Sequence, residues 1–219
     1  TPRPGNAKFK NLTPVDPNST NPYQLTEADR TVIGNTTPKF SGGFGLNATY
    51  KGFDMSMFFN FMYDFDVLNA NKIMLTTWAD NKENNFLMDI ASDKRWRNFD
   101  DMGNEIRYSP EVLAEFNKNA TMWNPTSIGR PICMSYAVED GSFLRLNSAT
   151  LGYTLPSVWT KKVGLSKVRF YVSGNNLFTL TGYSGYDPEV NIATGLTPNI
   201  DYNRYPRSRT YTFGAQLTF

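Results

Sequence analysis

The sequence predicts an all-β fold of long antiparallel strands, of the type that forms a transmembrane β-barrel. Apolar and polar residues alternate over runs of about 11–14 residues, beyond the five or six usual in globular strands and long enough to cross a bilayer at a tilt. The apolar faces of these runs are unbroken by charge, and aromatic residues lie near their ends. Short and long connections alternate along the chain, which is typical of outer-membrane barrels.

The first two predicted strands lie near residues 39–51 and 53–65, on either side of a short turn at Gly52. Residues 1–38 are rich in proline, and we expect them to form an extracellular loop segment. Within each strand the apolar residues fall on one face and mostly small or polar residues on the other. Because a barrel lumen is polar, the apolar face should meet lipid. The expected lipid-facing residues are Phe40, Phe44, Leu46, Phe53, Met55, Met57, Phe59 and Phe61.

Residues 66–141 form a long connection without strand alternation. Its first part, 67–79, is compatible with a short helix. A second helix is predicted at SPEVLAEF, where Ser109 is the N-cap, Pro110 occupies the first helical position and Glu111 lies in the first turn.

Strand patterns resume near residues 142–155, 166–180 and 207–219. The connection 156–164 is short, whereas 181–206 is long and rich in Gly, Pro and Asn. If the last strand runs toward the periplasm, both short connections are periplasmic and both long connections, 66–141 and 181–206, lie outside the cell. Outer-membrane barrels show this asymmetry.

Composition excludes several classes of function. Lys+Arg 22 minus Asp+Glu 20 gives a net charge of +2, which is too small to indicate a nucleic-acid partner. The absence of His excludes His-based triads, His general bases and His metal ligands. A single Cys excludes an intrachain disulfide, and we expect Cys133 to be a small buried side chain or to have no particular role. No apolar run is long enough for a transmembrane helix.

Other interpretations of the alternation remain open. A soluble antiparallel β-sandwich that acts as a binding module would also have one buried and one solvated face. An outer-membrane enzyme of barrel type would need a nucleophile and a base, and this chain offers no His as the base. Five strands cannot close a barrel, because the smallest has eight. We therefore expect residues 39–219 to be the C-terminal part of a larger barrel.

Four segments stand out in order along the chain. They are DRTVIGNTTPKFSGGFGLNATYKGFDMSMFF (29–59), EDGSFLRLNSATLGYTLP (139–156), VRFYVSGNNLFTLTGYSGYDPEV (168–190) and DYNRYPRSRTYTFGAQLTF (201–219). Together they resemble the C-terminal end of the SusC/RagA-type TonB-dependent outer-membrane transporters. That family often has an Asp/Asn/Gly-rich, calcium-loop-like run before the DR-x-x-IGN stretch. Here PVDPNSTNPYQLTEADR stands in its place, so we expect no metal there.

The resemblance implies a 22-stranded barrel filled by an N-terminal plug, to which this chain contributes about the last five strands and two outer loops. Such transporters import oligosaccharides or peptides and are capped by a SusD-like surface lipoprotein. The resemblance also implies contact with the TonB complex through an N-terminal part outside this chain. The implied location is the outer membrane of a Gram-negative bacterium. We expect no enzymatic activity, no catalytic residues and no cofactor.

Four aromatic residues of the long connection are candidates for contact with the substrate: Trp78, Trp96, Tyr108 and Trp123. Their flat apolar faces and polar edges suit stacking on sugar rings or peptide side chains. The alternative is that they pack the connection's own core or the interface with the lipoprotein.

Charged residues of the last long connection also allow two interpretations. Asp187 and Glu189 could form a carboxylate pair for acid–base chemistry, but the adjacent proline favours a tight turn. Arg204, Arg207 and Arg209 could form a patch that binds nucleic acid or an anion. The alternatives are that they brace this loop against the neighbouring strands or lie at a lipopolysaccharide-facing rim, and we expect bracing.

The chain ends in TYTFGAQLTF, which resembles the assembly signal of outer-membrane barrels. Such a signal ends in an aromatic residue preceded by alternating apolar residues, here Phe219 after Leu217, Phe213 and Tyr211. An alternating strand with a free edge can be received by the barrel-assembly machinery through β-augmentation. The alternative is an ordinary last strand whose terminal Phe belongs to the aromatic girdle.

Overall fold

The computed structural model describes residues 3–13, 25–77, 85–90, 93–128, 131–190 and 198–219. The chain divides into two compact units. The sheet unit comprises Gly34–Leu68 and Val138–Phe219, and the loop unit comprises Thr1–Ile33 and Asn69–Ala137.

The described residues form eight strands, three α-helices and five short 3-10 helices. The strands are β1 (Phe40–Tyr50), β2 (Phe53–Tyr63), β3 (Asp66–Asn69), β4 (Val138–Asp140), β5 (Phe143–Thr154), β6 (Lys167–Thr181), β7 (Ile200–Asp201) and β8 (Thr210–Thr218). The α-helices are α1 (Ala70–Met74), α2 (Pro110–Asn117) and α3 (Ser157–Thr160), and the 3-10 helices are Glu27–Asp29, Met88–Ile90, Pro125–Ser127, Ser135–Ala137 and Lys161–Val163. No α-helix among these is long and apolar enough to span a membrane.

Five long strands form one antiparallel sheet in the order β1-β2-β5-β6-β8. The predicted all-β, antiparallel fold is therefore confirmed. The turn between β1 and β2 contains only Lys51 and Gly52, with φ of 45° and 88°. Two successive positive φ values give the hairpin turn whose twist matches the strands, and glycine adopts such a value without steric cost.

A β-bulge in β5 keeps its apolar residues on one face. The pairing of β2 with β5 shifts between Phe58 and Phe59, so that Asn147 is skipped and Leu146 pairs with Phe59. Strict alternation would have placed Leu146 on the face opposite Ala149. The extra residue restores the common face, which is the usual effect of a bulge.

A second, three-stranded sheet in the order β4-β3-β7 lies where the long connections leave the strands. Of the helix predicted over 67–79, the described residues up to 77 form a strand at Asp66–Asn69 and a helix at Ala70–Met74, and residues 78 and 79 lie outside the described part of the chain. Val67 is fully buried in a cluster with Phe65, Phe143, Tyr183 and Val190. As a strand, residues 66–69 form backbone hydrogen bonds with β4 while the Val67 side chain packs into this cluster.

In the loop unit, α2 begins as predicted, with Ser109 at the N-cap and Pro110 in the first turn. Asn117 at its end is buried, and its amide oxygen accepts from the backbone N–H of Arg97 at 2.7 Å. This bond ties the helix to the 93–100 segment.

Asp29 holds two segments of the loop unit together. Its carboxylate accepts hydrogen bonds from the backbone N–H groups of Leu12, Thr13 and Thr26, at 2.7–2.9 Å. The donors at Thr26 and Thr13 lower the pKa of this exposed carboxyl well below its usual range. Asp29 therefore anchors the DR-x-x-IGN stretch to the segment that precedes it.

Candidate functional site

One face of the five-stranded sheet is apolar across its whole width. The pairing register aligns side chains into rows that cross all five strands, such as Leu46, Met57, Ala149, Gly174 and Tyr211. Phe44 pairs with Phe59, and their rings stack with centroids 4.9 Å apart. The eight residues expected to face lipid thus share one face of the sheet.

Nothing in the described structure covers this apolar face. The exposed fraction is 64% for Phe40, 52% for Phe170 and 80% for Phe213. Contiguous exposed apolar surface of this kind marks contact with a membrane or with another protein. The arrangement also disfavours the soluble β-sandwich, because a sandwich buries its apolar face under a second sheet.

The opposite face is polar. One of its rows consists of Asn47, Ser56, Thr150, Ser173 and Thr212. Near the β1–β2 turn, Arg169 Nε donates to Asp54 Oδ1 at 2.9 Å, and Arg169 Nη2 donates to Asp54 Oδ2. Arg169 reaches from β6 to β2 by lying over Gly152 of β5, where any Cβ would overlap its guanidinium.

Large apolar residues on the polar face have specific neighbours. The Phe58 ring lies over Gly43, and the Tyr171 ring over Gly214, so each ring lies flat where the adjacent strand lacks a side chain. Met62 packs against the buried cluster at the far end of the sheet. The large apolar residues that interrupt the polar face therefore either cover a glycine of the adjacent strand or pack against the buried cluster around Val67.

Arg145 of β5 is the centre of a buried ion cluster at the end of the sheet with the long connections. Its side chain is 2% exposed, and its Nη2 donates to Asp187 Oδ1 at 2.5 Å. The same nitrogen lies 3.7 Å from Glu189 Oε2. Arg207 Nη2 donates to Glu189 Oε1 at 2.5 Å. The cluster ties residues 187–189 both to β5 and to the segment that leads into β8.

The electrostatics of this cluster suit bracing rather than catalysis. Burial opposes the charged form of Asp187, but the hydrogen bond from Arg145, with the N–H groups of Glu189 and Arg207, outweighs it and lowers the pKa of Asp187. A carboxyl that acts as general acid near neutral pH needs a raised pKa. The bracing interpretation of Arg207 fits this geometry, and the lowered pKa does not suit Asp187 as a general acid.

Two further contacts hold the start of the same loop. Tyr183 is buried, and its hydroxyl donates to Asp201 Oδ2 at 2.6 Å. Burial and this hydrogen bond raise the pKa of Tyr183. Ser184 donates to Glu139 from its backbone N–H at 3.0 Å and from its hydroxyl at 2.8 Å. The loop is thus fastened to β7 and β4.

The aromatic candidates for substrate contact occupy different environments in the loop unit. Trp96 packs closely against Gly5, and Trp123 donates from Nε1 to the carbonyl of Thr76 at 3.3 Å. Tyr108 is exposed, with the Arg107 guanidinium 5.7 Å from its ring centroid. Trp78 lies outside the described residues. The backbone N–H of Trp96 donates to the carbonyl of Met122, beside Trp123, at 2.9 Å, and contact of the candidates with a substrate stays a prediction.

The last strand, β8, lies at an edge of the sheet. Tyr211, Phe213 and Leu217 pair with Gly174, Val172 and Val168 and lie on the apolar face. Phe219 follows the strand and is exposed. The free edge of β8 leaves backbone groups available for another strand.

The sequence did not single out Arg145, Tyr183 or Asp201. Arg145 and Asp187 are 42 residues apart, and in sequence Arg145 is an ordinary polar residue between two leucines. The available signal was the pair of carboxylates in GYDPEV, since a loop that buries them must supply cations.

Comparisons with known proteins agree with this architecture, although no protein-family model matches the chain. TonB-dependent receptor P3 of Formosa agariphila is 35% identical over 202 residues, covering 90% of this chain and 18% of that protein. TonB-dependent receptor SusC of Bacteroides thetaiotaomicron is 38% identical over 88 residues, covering 38% of this chain and 8% of that protein. The solved structure of the RagAB peptide transporter aligns with a TM-score of 0.69 and 26% identity, over 90% of this chain and 19% of that chain.

A long-stranded antiparallel sheet with one apolar and one polar face is a structure of the outer-membrane barrel type. Together with these similarities, it shows that the chain belongs to the SusC/RagA-type TonB-dependent transporter family. The chain spans 18% of the length of the curated receptor P3. The predicted family resemblance is confirmed.

Proposed function

We propose that this chain forms five adjacent strands in the wall of an outer-membrane transporter barrel, with its apolar face toward lipid and its polar face toward the lumen. The observation that carries the proposal is that apolar and polar side chains lie on opposite faces of the sheet in every pair of neighbouring strands. The Asp54–Arg169 pair supports it further, because such a pair is costly in lipid and acceptable in a polar lumen.

We also infer an orientation. The short connections, 51–52 and 156–164, leave one end of the sheet, and the long connections, 66–141 and 181–206, leave the other. Outer-membrane barrels place short turns in the periplasm and long loops outside. The loop unit would then lie on the cell surface, where the transported ligand enters.

The transported ligand is proposed to be an oligosaccharide or a peptide, taken up with a SusD-like surface lipoprotein and driven by the TonB complex. Support comes from the family and from the RagAB neighbours, which are described as a peptide importer. Tyr108 is the most accessible aromatic candidate for ligand contact among the described ones. The charged pairs around Asp187 are braced by arginines, which supports a structural role for this loop.

Two arginine substitutions in the full-length transporter test which face of the sheet meets lipid and which faces the lumen. Met57 lies near the middle of β2 on the apolar face, and Ser56 beside it faces Asn47 and Thr150. Met57→Arg should cost about 2–4 kcal/mol if it meets the bilayer midplane, whereas Ser56→Arg points into a polar lumen. Heat-modifiable mobility of membrane fractions measures the folded barrel. Equal losses in the two variants would contradict the assignment of lipid and lumen faces.

A further inference from the structure

The connection between β5 and β6 exposes apolar side chains beyond the end of the sheet. Residues 157–163 form α3 and a short 3-10 helix. Val158, Trp159 and Val163 are 68%, 59% and 70% exposed. Thr160 between them is buried, and its carbonyl accepts from Leu165 N–H at 3.1 Å. The turn is therefore held at Thr160 while three apolar side chains point away from the chain's own core.

This apolar surface lies at the end of the sheet where a row of aromatic residues crosses the strands. Four aromatic residues form a row across four strands at the same end: Tyr50, Phe53, Tyr153 and Phe170. The rings of Phe53 and Tyr153 have centroids 4.4 Å apart. Such rows of aromatic residues lie at the boundary between acyl chains and headgroups. The 156–164 connection follows directly after this row.

The same end of the sheet is rich in uncompensated positive charge. Its described segments, 50–54, 153–170 and 216–219, contain four lysines, Lys51, Lys161, Lys162 and Lys167. Asp54 is the single side-chain carboxylate in these segments, and Arg169 already pairs with it. Neither Lys161 nor Lys162 has an ion-pair partner in the part of the chain that the structure describes. A surface of exposed apolar groups bordered by free lysines is complementary to an anionic phospholipid leaflet.

We propose that residues 156–164 are an interfacial anchor that binds anionic phospholipid. Val158, Trp159 and Val163 enter the acyl boundary, and Lys161 and Lys162 contact headgroup phosphates. Indole rings favour that depth, and lysines can extend to the phosphates from it. The inference rests on the proposed lipid-facing orientation of the sheet. It adds a defined lipid-binding element at the end with the short connections.

Site-directed spin labelling of the full-length transporter tests the anchor. The protein is reconstituted in vesicles of phosphatidylethanolamine with phosphatidylglycerol, on a background in which Cys133 and any other cysteine are replaced. A nitroxide is placed at Val158→Cys, and reference labels at Met57→Cys and Ser56→Cys. Collision with oxygen reports lipid, and collision with a water-soluble nickel complex reports solvent. The label at 158 should be more accessible to oxygen than to nickel, and shallower than the label at 57.

The reference labels separate the possible failures. In one outcome, the label at 57 reports lipid while the label at 158 reports water or is shielded from both reagents by another part of the protein. In that case the anchor proposal is wrong and the barrel assignment stands. If 57 itself reports water, the proposed orientation of the sheet fails.

The headgroup contact has its own test. Lys161→Gln with Lys162→Gln should move the label at 158 toward the aqueous phase, as should replacing phosphatidylglycerol by phosphatidylcholine. Neutralising Lys94 and Lys118 of the loop unit is the matched control and should leave the label's depth unchanged. If neither the lysine substitutions nor the change of lipid charge alters the depth of the label at 158, the assignment of anionic phospholipid as the ligand is wrong.

Discussion

Replacing Arg145 by Met should release the loop that precedes β8. Met keeps an extended side chain in the same space but removes the charge that faces Asp187 at 2.5 Å. Both members of this pair are nearly inaccessible, with side-chain exposures of 2% and 9%. Removing one partner of a buried pair costs about 3–5 kcal/mol, because the remaining charge stays buried without compensation.

The structure puts the expected cost near the lower end of that range. Arg207 still pairs with Glu189, and Asp187 still accepts the N–H groups of Glu189 at 2.9 Å and Arg207 at 3.4 Å. A loss of about 3 kcal/mol corresponds to roughly a hundredfold increase in local opening. Because those two N–H groups are bonded to Asp187 itself, hydrogen exchange at 189 and 207 reports the opening directly.

Hydrogen–deuterium exchange of the full-length transporter measures this effect. Peptides covering 182–190 and 201–209 should exchange about a hundredfold faster in Arg145→Met. The matched control is Lys39→Met, which breaks the exposed ion pair with Asp64 in the same unit and should leave the exchange of these peptides nearly unchanged, because solvent screens exposed pairs. Adding Asp187→Asn to Arg145→Met should recover part of the protection. Unchanged exchange in Arg145→Met, or an equal change in Lys39→Met, would refute the bracing role.

The pH dependence of the same protection follows from Asp187. Its pKa is lowered in the folded protein, so its contribution is present above the usual carboxyl pKa and is lost only as the pH falls through the lowered value. After correction for the intrinsic exchange rate, wild-type protection at 189 should stay constant from about pH 7 to about pH 5. A loss of protection within that interval would contradict the assignment.

Two further predictions concern the sheet. Phe219→Asp should lower the amount of assembled barrel far more than Gln216→Asn on the polar face, as read from heat-modifiable mobility; wild-type assembly of Phe219→Asp would refute the assembly-signal interpretation. Gly152→Val should displace Arg169 from Asp54, because its Cβ overlaps the guanidinium, and should destabilise the barrel by about 1–3 kcal/mol in a denaturant titration. An unchanged midpoint would show that the ion pair adapts without cost.

The strands and their faces could be predicted because both depend on a local signal. In a strand, successive side chains point to opposite sides, so the apolar residues of each strand identify one face without knowledge of the partner. The turn at Gly52 was equally local, since two positive φ values select glycine. The helix at Pro110 was recognisable from its cap.

The missed features depend on distant residues. Asn147 forms a bulge because β2 and β6 require Leu146 and Ala149 on one side, which strict alternation could not indicate. Residues 66–69 became a strand because β4 and β7, far along the chain, offer pairing partners. Cys133 was expected either to be buried or to have no particular role, and it is exposed, since composition gives no information on local packing. For the bulge and for residues 66–69, tertiary pairing overrode the local pattern.

The connections at the two ends of the sheet are stabilised by different kinds of contact, and this difference supports the proposed orientation. At the end with the long connections, the loop between β6 and β8 is fixed by buried polar contacts: Arg145 to Asp187 and Tyr183 to Asp201. Such contacts are strong only where water is excluded by protein, and they require long loops that fold back over the strands. At the other end the connections are too short to fold back, and the exposed groups are aromatic rings, valines and lysines. A bilayer interface accommodates both kinds of group, because acyl chains cover the apolar side chains and phosphates pair with the lysines. In the proposed orientation, the loop end keeps its shape through its own buried contacts, and the turn end is held by lipid.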